Sequence, residues 1–290
     1  MKDRTAVAIL GTGRMGSAMA RRLASVGYEI HLWNRTQRRA DQVGVGQVHQ
    51  KPASAVRHAD VVITVLANAD AVRSAYLGPG GALEDPAGKT FVEMGTLAPD
   101  SAADLARLVV GRQASYVEAP VLGSVPAIEA GRLAIIVAGS EAEFERVLPI
   151  LRQLGDARLV GPTIGTASRL KLVANSMLAI IIAGASELVT AGVSAGLDPA
   201  SIYWVLSKRA PILRTWDSFF AGVPSGATLV SVDNLARDVD LATELYKQIG
   251  AATPLTSTAG AVLKESSALH GRDDVGFLLT PDRNGPHQGE

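Results

Sequence analysis

AVAILGTGRMG, Ala6 to Gly16, decides the architecture of this 290-residue chain. Five apolar residues, Ala6 to Leu10, have the length and β-rich character of a strand buried on both faces. Gly11-Thr12-Gly13-Arg14-Met15-Gly16 follows directly and opens a helical pattern that ends near Gly27. A bare glycine triplet says little, but a strand before it and a helix after it give the spacing physical meaning. Gly11 permits the tight turn, Gly13 lets the backbone approach a pyrophosphate, and Gly16 lets the helix pack against the strand. The free N–H groups and partial positive charge of the helix N-terminus then face the phosphates. The alternative is an ordinary βα turn that happens to hold three glycines.

Outward from this turn the pattern repeats. The runs EIHLW, VVITVL, TFVEM, YVEAPV and LAIIVAG alternate with helical segments up to Gly139. Such alternation predicts a doubly wound, mostly parallel α/β sheet, a Rossmann domain, over residues 1–161. Beyond Gly161 the apolar residues recur at helical spacing, from Ile164 to Ala195, Pro199 to Lys208, Ser231 to Gly250 and Ser257 to Leu269. Residues 162–290 are therefore expected to form an all-helical domain begun by one long helix, with a frayed polar tail over 280–290. The 15 uncharged residues from Leu172 to Ser186 would span roughly 22 Å as a helix, short of the ~30 Å of a bilayer core. They are expected to be a buried helix, with no membrane partner.

The end of the second strand speaks to the choice of cofactor. About 20 residues past the glycines, an NAD-selective site carries an acid for the ribose hydroxyls. Here stand Trp33-Asn34-Arg35-Thr36, with no acid. The planar fork of Arg35 suits a 2′-phosphate, with Asn34, Thr36 and Arg38 as candidate helpers. NADP(H) is the expected cofactor, and the competing reading makes these arginines the solvated first turn of the next helix.

Composition excludes several classes. Lys plus Arg and Asp plus Glu both total 28, so no net field draws nucleic acid or an anionic membrane. The absence of cysteine removes a thiolate nucleophile, an iron–sulfur cluster and any Cys-ligated zinc. Thr5 to Leu10 is too short an apolar run for a signal-peptide core, so the expected location is cytoplasmic. The five histidines, His31, His49, His58, His270 and His287, show no metal-ligand spacing and are expected on the surface or in loops, with no metal site.

In Leu170-Lys171-Leu172-Val173-Ala174-Asn175 the lysine and the asparagine are spaced i, i+4, on one face of the long helix. An ammonium among apolar neighbours is unfavourable unless it is paired or used. One use is general acid catalysis: hydride delivery to a carbonyl leaves an alkoxide that must take up a proton. Asn175 would hold the reacting oxygen or orient the ammonium. The other reading leaves Lys171 as a solvated surface charge.

Taken together, GTGRMG, WNRT, VITVLAN, VEMGT, EAPVLGS with EAGRLAIIVAG, and GTASRLKLVAN resemble the β-hydroxyacid dehydrogenases, from Val7 to about Ala261. The resemblance implies that Lys171 is the catalytic lysine and Asn175 the substrate-holding amide. It also implies that Leu66, Ala67 and Thr96 line the nicotinamide side and that Gly123 and Ser124 receive a substrate carboxylate. Arg237, in LARDVDLA, would contact the cofactor as a cation. A small carbonyl or hydroxy-acid substrate and a homodimer or homotetramer are implied as well. Leu122 stands where the family places a serine hydroxyl, and Gly95 replaces the serine before Thr96. The lost hydroxyl contact is worth about 1 kcal/mol and leaves the identity of the substrate open. WNRT is shared with imine reductases, which generally lack the lysine, so Lys171 favours a carbonyl. The remaining alternative is a catalytically inactive NADP(H)-binding module.

Overall fold

Alternation within single strands sets the layers. In β1 (Ala6–Leu10) Val7 and Ile9 point to one face of the sheet and Ala8 and Leu10 to the other, and all are buried. A computed structural model describes residues 5–220 and 228–280 of the chain. β2 (Glu29–Trp33), β3 (Gln47–Val48), β4 (Val61–Thr64), β5 (Thr90–Glu93), β6 (Ser115–Glu118), β7 (Val121–Leu122), β8 (Leu133–Ala138) and β9 (Gly155–Gly161) complete one sheet with β1. Its order is β3-β2-β1-β4-β5-β6-β8-β7, with β9 on β8. The pairings from β3 to β6 and between β8 and β9 are parallel, and β8 runs antiparallel to β6 and β7.

The helices between the strands are α1 (Arg14–Ser25), α2 (Gln37–Asp41), α3 (Pro52–Arg57), α4 (Ala69–Leu77), α5 (Pro99–Val110), α6 (Val125–Glu129) and α7 (Glu141–Leu154). Met19 and Leu23 of α1 and Val147 and Leu151 of α7 pack on the Val7/Ile9 face. Val56 of α3, Tyr76 of α4 and Leu105 of α5 pack on the opposite face. Both faces of the sheet are thus closed, as the doubly wound reading expects.

α8 (Thr166–Ser194) is 29 residues long, about 44 Å at 1.5 Å per residue. Its charge-free centre understates this length, because Lys171 and Glu187 fall within the helix. By length and composition α8 could cross a membrane. Leu172, Asn175, Ala179, Ile182, Ser186 and Val189, three and four residues apart, form its buried stripe. α9 (Pro199–Arg209), α10 (Asp217–Phe220), α11 (Val232–Gln248) and α12 (Pro254–His270) follow. In this region Ala179 and Ile182 cluster with Trp216, Leu235, Val239 and Leu263.

The chain divides into two compact units, Met1–Lys171 and Leu172–Glu290. The division falls inside α8, beyond the 161/162 boundary that the strand signals suggest. β9 lies just before that boundary and carries no clear apolar run of its own. Trp216 is buried and its indole N–H donates to Asp274 Oδ1 at 2.5 Å. Trp204 is exposed, with the Lys208 ammonium 5.6 Å from its ring centre. Phe219 is core, whereas the side chain of Phe220 and the tail 281–290 lie outside the described residues.

Candidate functional site

The first unit holds a cleft of about 600 Å³ at the carboxyl ends of β1, β2 and β4. In an open α/β sheet this is where a ligand is expected. Each glycine of the turn has its own physical reason. Gly11 has φ +106°, and a Cβ there would lie 2.3 Å from the Val65 carbonyl oxygen. A Cβ on Gly16 would lie 1.9 Å from the Gly11 carbonyl oxygen, so Gly16 is what lets α1 lie against the turn. Gly13 differs, because a Cβ there would meet nothing within 4 Å. Its missing side chain leaves open the side of the turn on which a phosphate would approach. Gly13 is also the N-cap of α1, which has no side-chain cap and no acid in its first turn. The N-terminal N–H groups of α1 are therefore not taken by a capping side chain.

The second strand delivers the other wall. Trp33, Asn34, Arg35, Thr36 and Arg39 line the cleft. Asn34 ties the two walls together: its Oδ1 accepts from Thr12 N at 3.1 Å and its Nδ2 donates to Thr36 O at 3.0 Å. Arg35 and Arg39 are exposed at this end. Arg39, rather than Arg38, is the second arginine of the lining. Leu66 and Ala67, after β4, line the cleft too. Thr12, Arg14, Met15, Gly16 and Thr96 are not on its surface, although Thr12, Gly16 and Met15 build the turn behind it. The glycine turn with its uncapped helix N-terminus on one wall and Arg35 on the other fit the phosphates of a dinucleotide.

A buried acidic row supports the floor. Thr64, Glu93 and Glu118 are register neighbours on adjacent strands and so share a face. Both acids are 1 % exposed. Glu93 Oε1 accepts from Gly95 N at 2.9 Å. Burial raises its carboxyl pKa to about 8, with a further push from Glu118 and an opposing pull from the Gly95 bond. Glu93 is thus protonated at neutral pH. It lies beneath the Gly95-Thr96 segment, where a Cβ on Gly95 would meet Glu93 Oε1 at 2.8 Å and Leu66 O at 3.3 Å. Burial also raises the Tyr76 and Tyr116 phenols well above their ordinary range.

Glu118 caps the long helix from outside it. Its carboxyl accepts from Gly165 N at 2.7 Å, from Ser168 N at 2.9 Å and from Ser168 Oγ. An acid at a helix N-terminus satisfies unpaired N–H groups and complements the macrodipole. Lys171 stands one turn further along α8 and is half-buried. Asn175 is buried, and its Nδ2 donates to Asp238 Oδ2 at 2.6 Å. Asp238, itself buried on α11, accepts from Arg237 Nη2 at 2.9 Å on its other oxygen. The second unit therefore contains a relay, Arg237 to Asp238 to Asn175, that fixes which way the Asn175 amide points. Asp238 escapes a reading of motifs alone; an acid interrupting the buried stripe of Val232, Leu235, Val239 and Ala242 is the signal that finds it.

Leu122, the last residue of β7, is half-buried, and Gly123 just after it has φ +125°. A Cβ on Gly123 would lie 2.9 Å from Leu133 Cδ2, so both conformation and packing demand glycine. Ser124 is the N-cap of α6 and makes no side-chain cap bond. The histidines depart from expectation. His31 is buried within β2, and His31, His49 and His58 come together on the α3 side of the sheet. Strand pairing makes this cluster, which is why spacing along the chain does not reveal it.

Comparison with known proteins agrees with this geometry. A profile for the NAD binding domain of 6-phosphogluconate dehydrogenase matches residues 6–165. A second, described as NAD-binding of NADP-dependent 3-hydroxyisobutyrate dehydrogenase, matches residues 165–278. The chain is 30% identical to 2-(hydroxymethyl)glutarate dehydrogenase of Eubacterium barkeri, over 96% of this chain and 95% of that one. It is also 30% identical to 3-hydroxyisobutyrate dehydrogenase of Pseudomonas aeruginosa, over 93% and 94%. Among solved structures, Psf3 in complex with NADP+ and 2-OPP superposes with a TM-score of 0.84 at 28% identity, over 94% of this chain and 98% of that one.

Proposed function

The chain belongs to the β-hydroxyacid dehydrogenase family, and from that premise we propose that it is an NADPH-dependent reductase of small aldehydes or ketones. The reverse oxidation of a β-hydroxy acid would use the same groups. The observation that carries the cofactor choice is the end of β2, where Arg35 lines the cleft and no acid stands to bind the ribose hydroxyls. A 2′-phosphate there gains a charge-assisted hydrogen bond, whereas an unphosphorylated ribose gains little.

When bound, the nicotinamide supplies a hydride from its C4 atom. Gly11, Gly13 and the α1 N-terminus would hold the pyrophosphate, Asn34, Arg35 and Thr36 the adenosine end, and Leu66 and Ala67 the nicotinamide end. Lys171 gives a proton to the substrate oxygen as charge develops on it. Asn175, four residues along the same helix and oriented by Asp238, holds that oxygen. Gly123 and Ser124 offer backbone N–H groups to a substrate carboxylate, while Leu122 makes the pocket less polar than a serine would. Lys171 also separates this reading from imine reduction, because an iminium already carries its positive charge and its reduction forms no alkoxide. A homo-oligomer covering exposed Val173, Met177 and Leu188 of α8 agrees with the same reading.

The test is NADPH oxidation against semialdehydes, 2-keto acids, simple aldehydes and cyclic imines, repeated with NADH and with Arg35→Ala. Turnover of a carbonyl acid is expected, with kcat/KM at least tenfold higher for NADPH. Arg35→Ala should remove most of that preference, since one charge-assisted bond is worth about 1.5–3 kcal/mol. A tenfold preference for NADH, or turnover of imines alone, would overturn the proposal.

A further inference from the structure

We propose that His31, His49 and His58 form a binding site for one zinc ion, or a similar first-row divalent metal, that fastens α3 to the β2–β3 edge of the sheet. Three separate elements supply the imidazoles: His31 comes from the middle of β2, His49 follows β3, and His58 is the C-cap of α3. Register explains their meeting. His31 is the partner of Ala8 on one side and of Gln47 on the other. It therefore points to the sheet face that carries α3. The His49 backbone N–H donates to Leu32 O at 2.8 Å, which holds His49 against β2.

One ring nitrogen from each histidine lies within 4.8 Å of the other two. Two nitrogens bound to one tetrahedral zinc at 2.0–2.1 Å stand about 3.3 Å apart. His31 Nδ1 and His49 Nε2 are already 3.0 Å apart, so small rotations of the rings close the set. The outer nitrogen of His58 is occupied in the way metal-bound histidines require. His58 Nδ1 is 2.8 Å from the Ser54 carbonyl oxygen. A carbonyl only accepts, so Nδ1 carries the proton and Nε2 keeps its lone pair. His31 Nε2 is buried 3.2 Å from Glu29 Oε1, outside hydrogen-bond geometry but near enough for a small turn of the ring to let it donate there and leave Nδ1 as the ligand atom. Imidazole-only sites suit zinc, copper and nickel rather than magnesium or calcium. His31 and His49 are buried, whereas His58 is exposed, so a metal enters from the His58 side and the fourth position is open to water. Without a metal the trio is held by one His31–His49 hydrogen bond and by rings whose centres lie 5.2 and 5.3 Å apart.

The experiment titrates the full-length, chelator-treated protein with Zn²⁺ against a chromophoric zinc indicator, with Mg²⁺ as the hard-cation control. One Zn²⁺ per chain is expected to bind with Kd near ~1 μM or tighter, and Mg²⁺ not at all. His58→Ala changes an exposed side chain, so it should fold as the parent does and weaken binding at least about tenfold. His49→Gln should do the same. Saturating Zn²⁺ should raise the parent Tm by several degrees and leave that of His58→Ala unmoved. His270→Ala, at the separate His270–Asp273 pair, should bind as the parent does. No stoichiometric binding below ~100 μM, or full affinity in His58→Ala, overturns the site.

Discussion

The dinucleotide cleft and the α8–α11 region are built by different means. In the cleft the backbone does most of the work: Gly11 turns, Gly16 admits the helix, and Gly13 leaves room for a phosphate. In the α8–α11 region side chains do it, with Asn175 held by Asp238 and Asp238 paired to Arg237. A backbone device tolerates no added atom but needs no partner. A side-chain device keeps the fold when altered and loses its orientation. Substitutions in the first should therefore abolish binding, and those in the second should change rate.

Gly11→Ala should show the largest effect. Its φ of +106° and the 2.3 Å approach to Val65 O predict a loss of roughly 3 kcal/mol in stability. NADPH binding, followed by the fluorescence of the bound nucleotide, should disappear. Retained affinity would mean that this turn does not hold the dinucleotide.

Asp238→Ala comes next and attacks the side-chain device alone. Loss of its bond to Asn175 should lower kcat by about 10²-fold through misplacement of the reacting oxygen, with Tm reduced only modestly. Asp238→Asn keeps an acceptor and should recover much of the rate. Equal kcat in the parent and Asp238→Ala would make the relay purely structural.

Glu93→Gln should show the smallest effect, visible as a slope. The folded carboxyl titrates near 8 because it is buried, whereas an unfolded glutamate titrates near 4.3. Between these values the folded state binds more protons than the unfolded state, so stability falls as pH rises through the window. Glutamine has no such proton. The unfolding free energy of Glu93→Gln, from urea titration, should therefore decline less steeply than that of the parent between pH 5 and 8, by up to a few kcal/mol over the window. Parallel profiles would mean that Glu93 stays ionised in the folded protein.

The contrast also explains what is legible in the sequence. GTGRMG can be read because the turn depends on nearby residues in chain order, and the buried stripe of α8 because its period is local. β9 is harder: GDARLVG alternates only partly between buried and exposed positions, and pairing with β8 is what makes it a strand. Leu66 and Ala67 enter through family resemblance, and both line the cleft. Glu118 at the head of α8, Asp238 beside Asn175 and His31 beside His49 depend on partners at least 18 residues away. Such contacts arise only once the sheet and the helices have folded. Arg39 in place of Arg38 is a matter of which side of α2 faces the cleft, a rotation that a five-residue helix leaves unmarked in its sequence.

The most direct test of the whole account is single-turnover NADPH oxidation by Lys171→Met with the best carbonyl substrate from the screen. Removing the proton donor should slow the chemical step by roughly 10²- to 10⁴-fold while NADPH affinity stays within about twofold of the parent. An unchanged single-turnover rate would contradict the account, since the proton would then come from elsewhere.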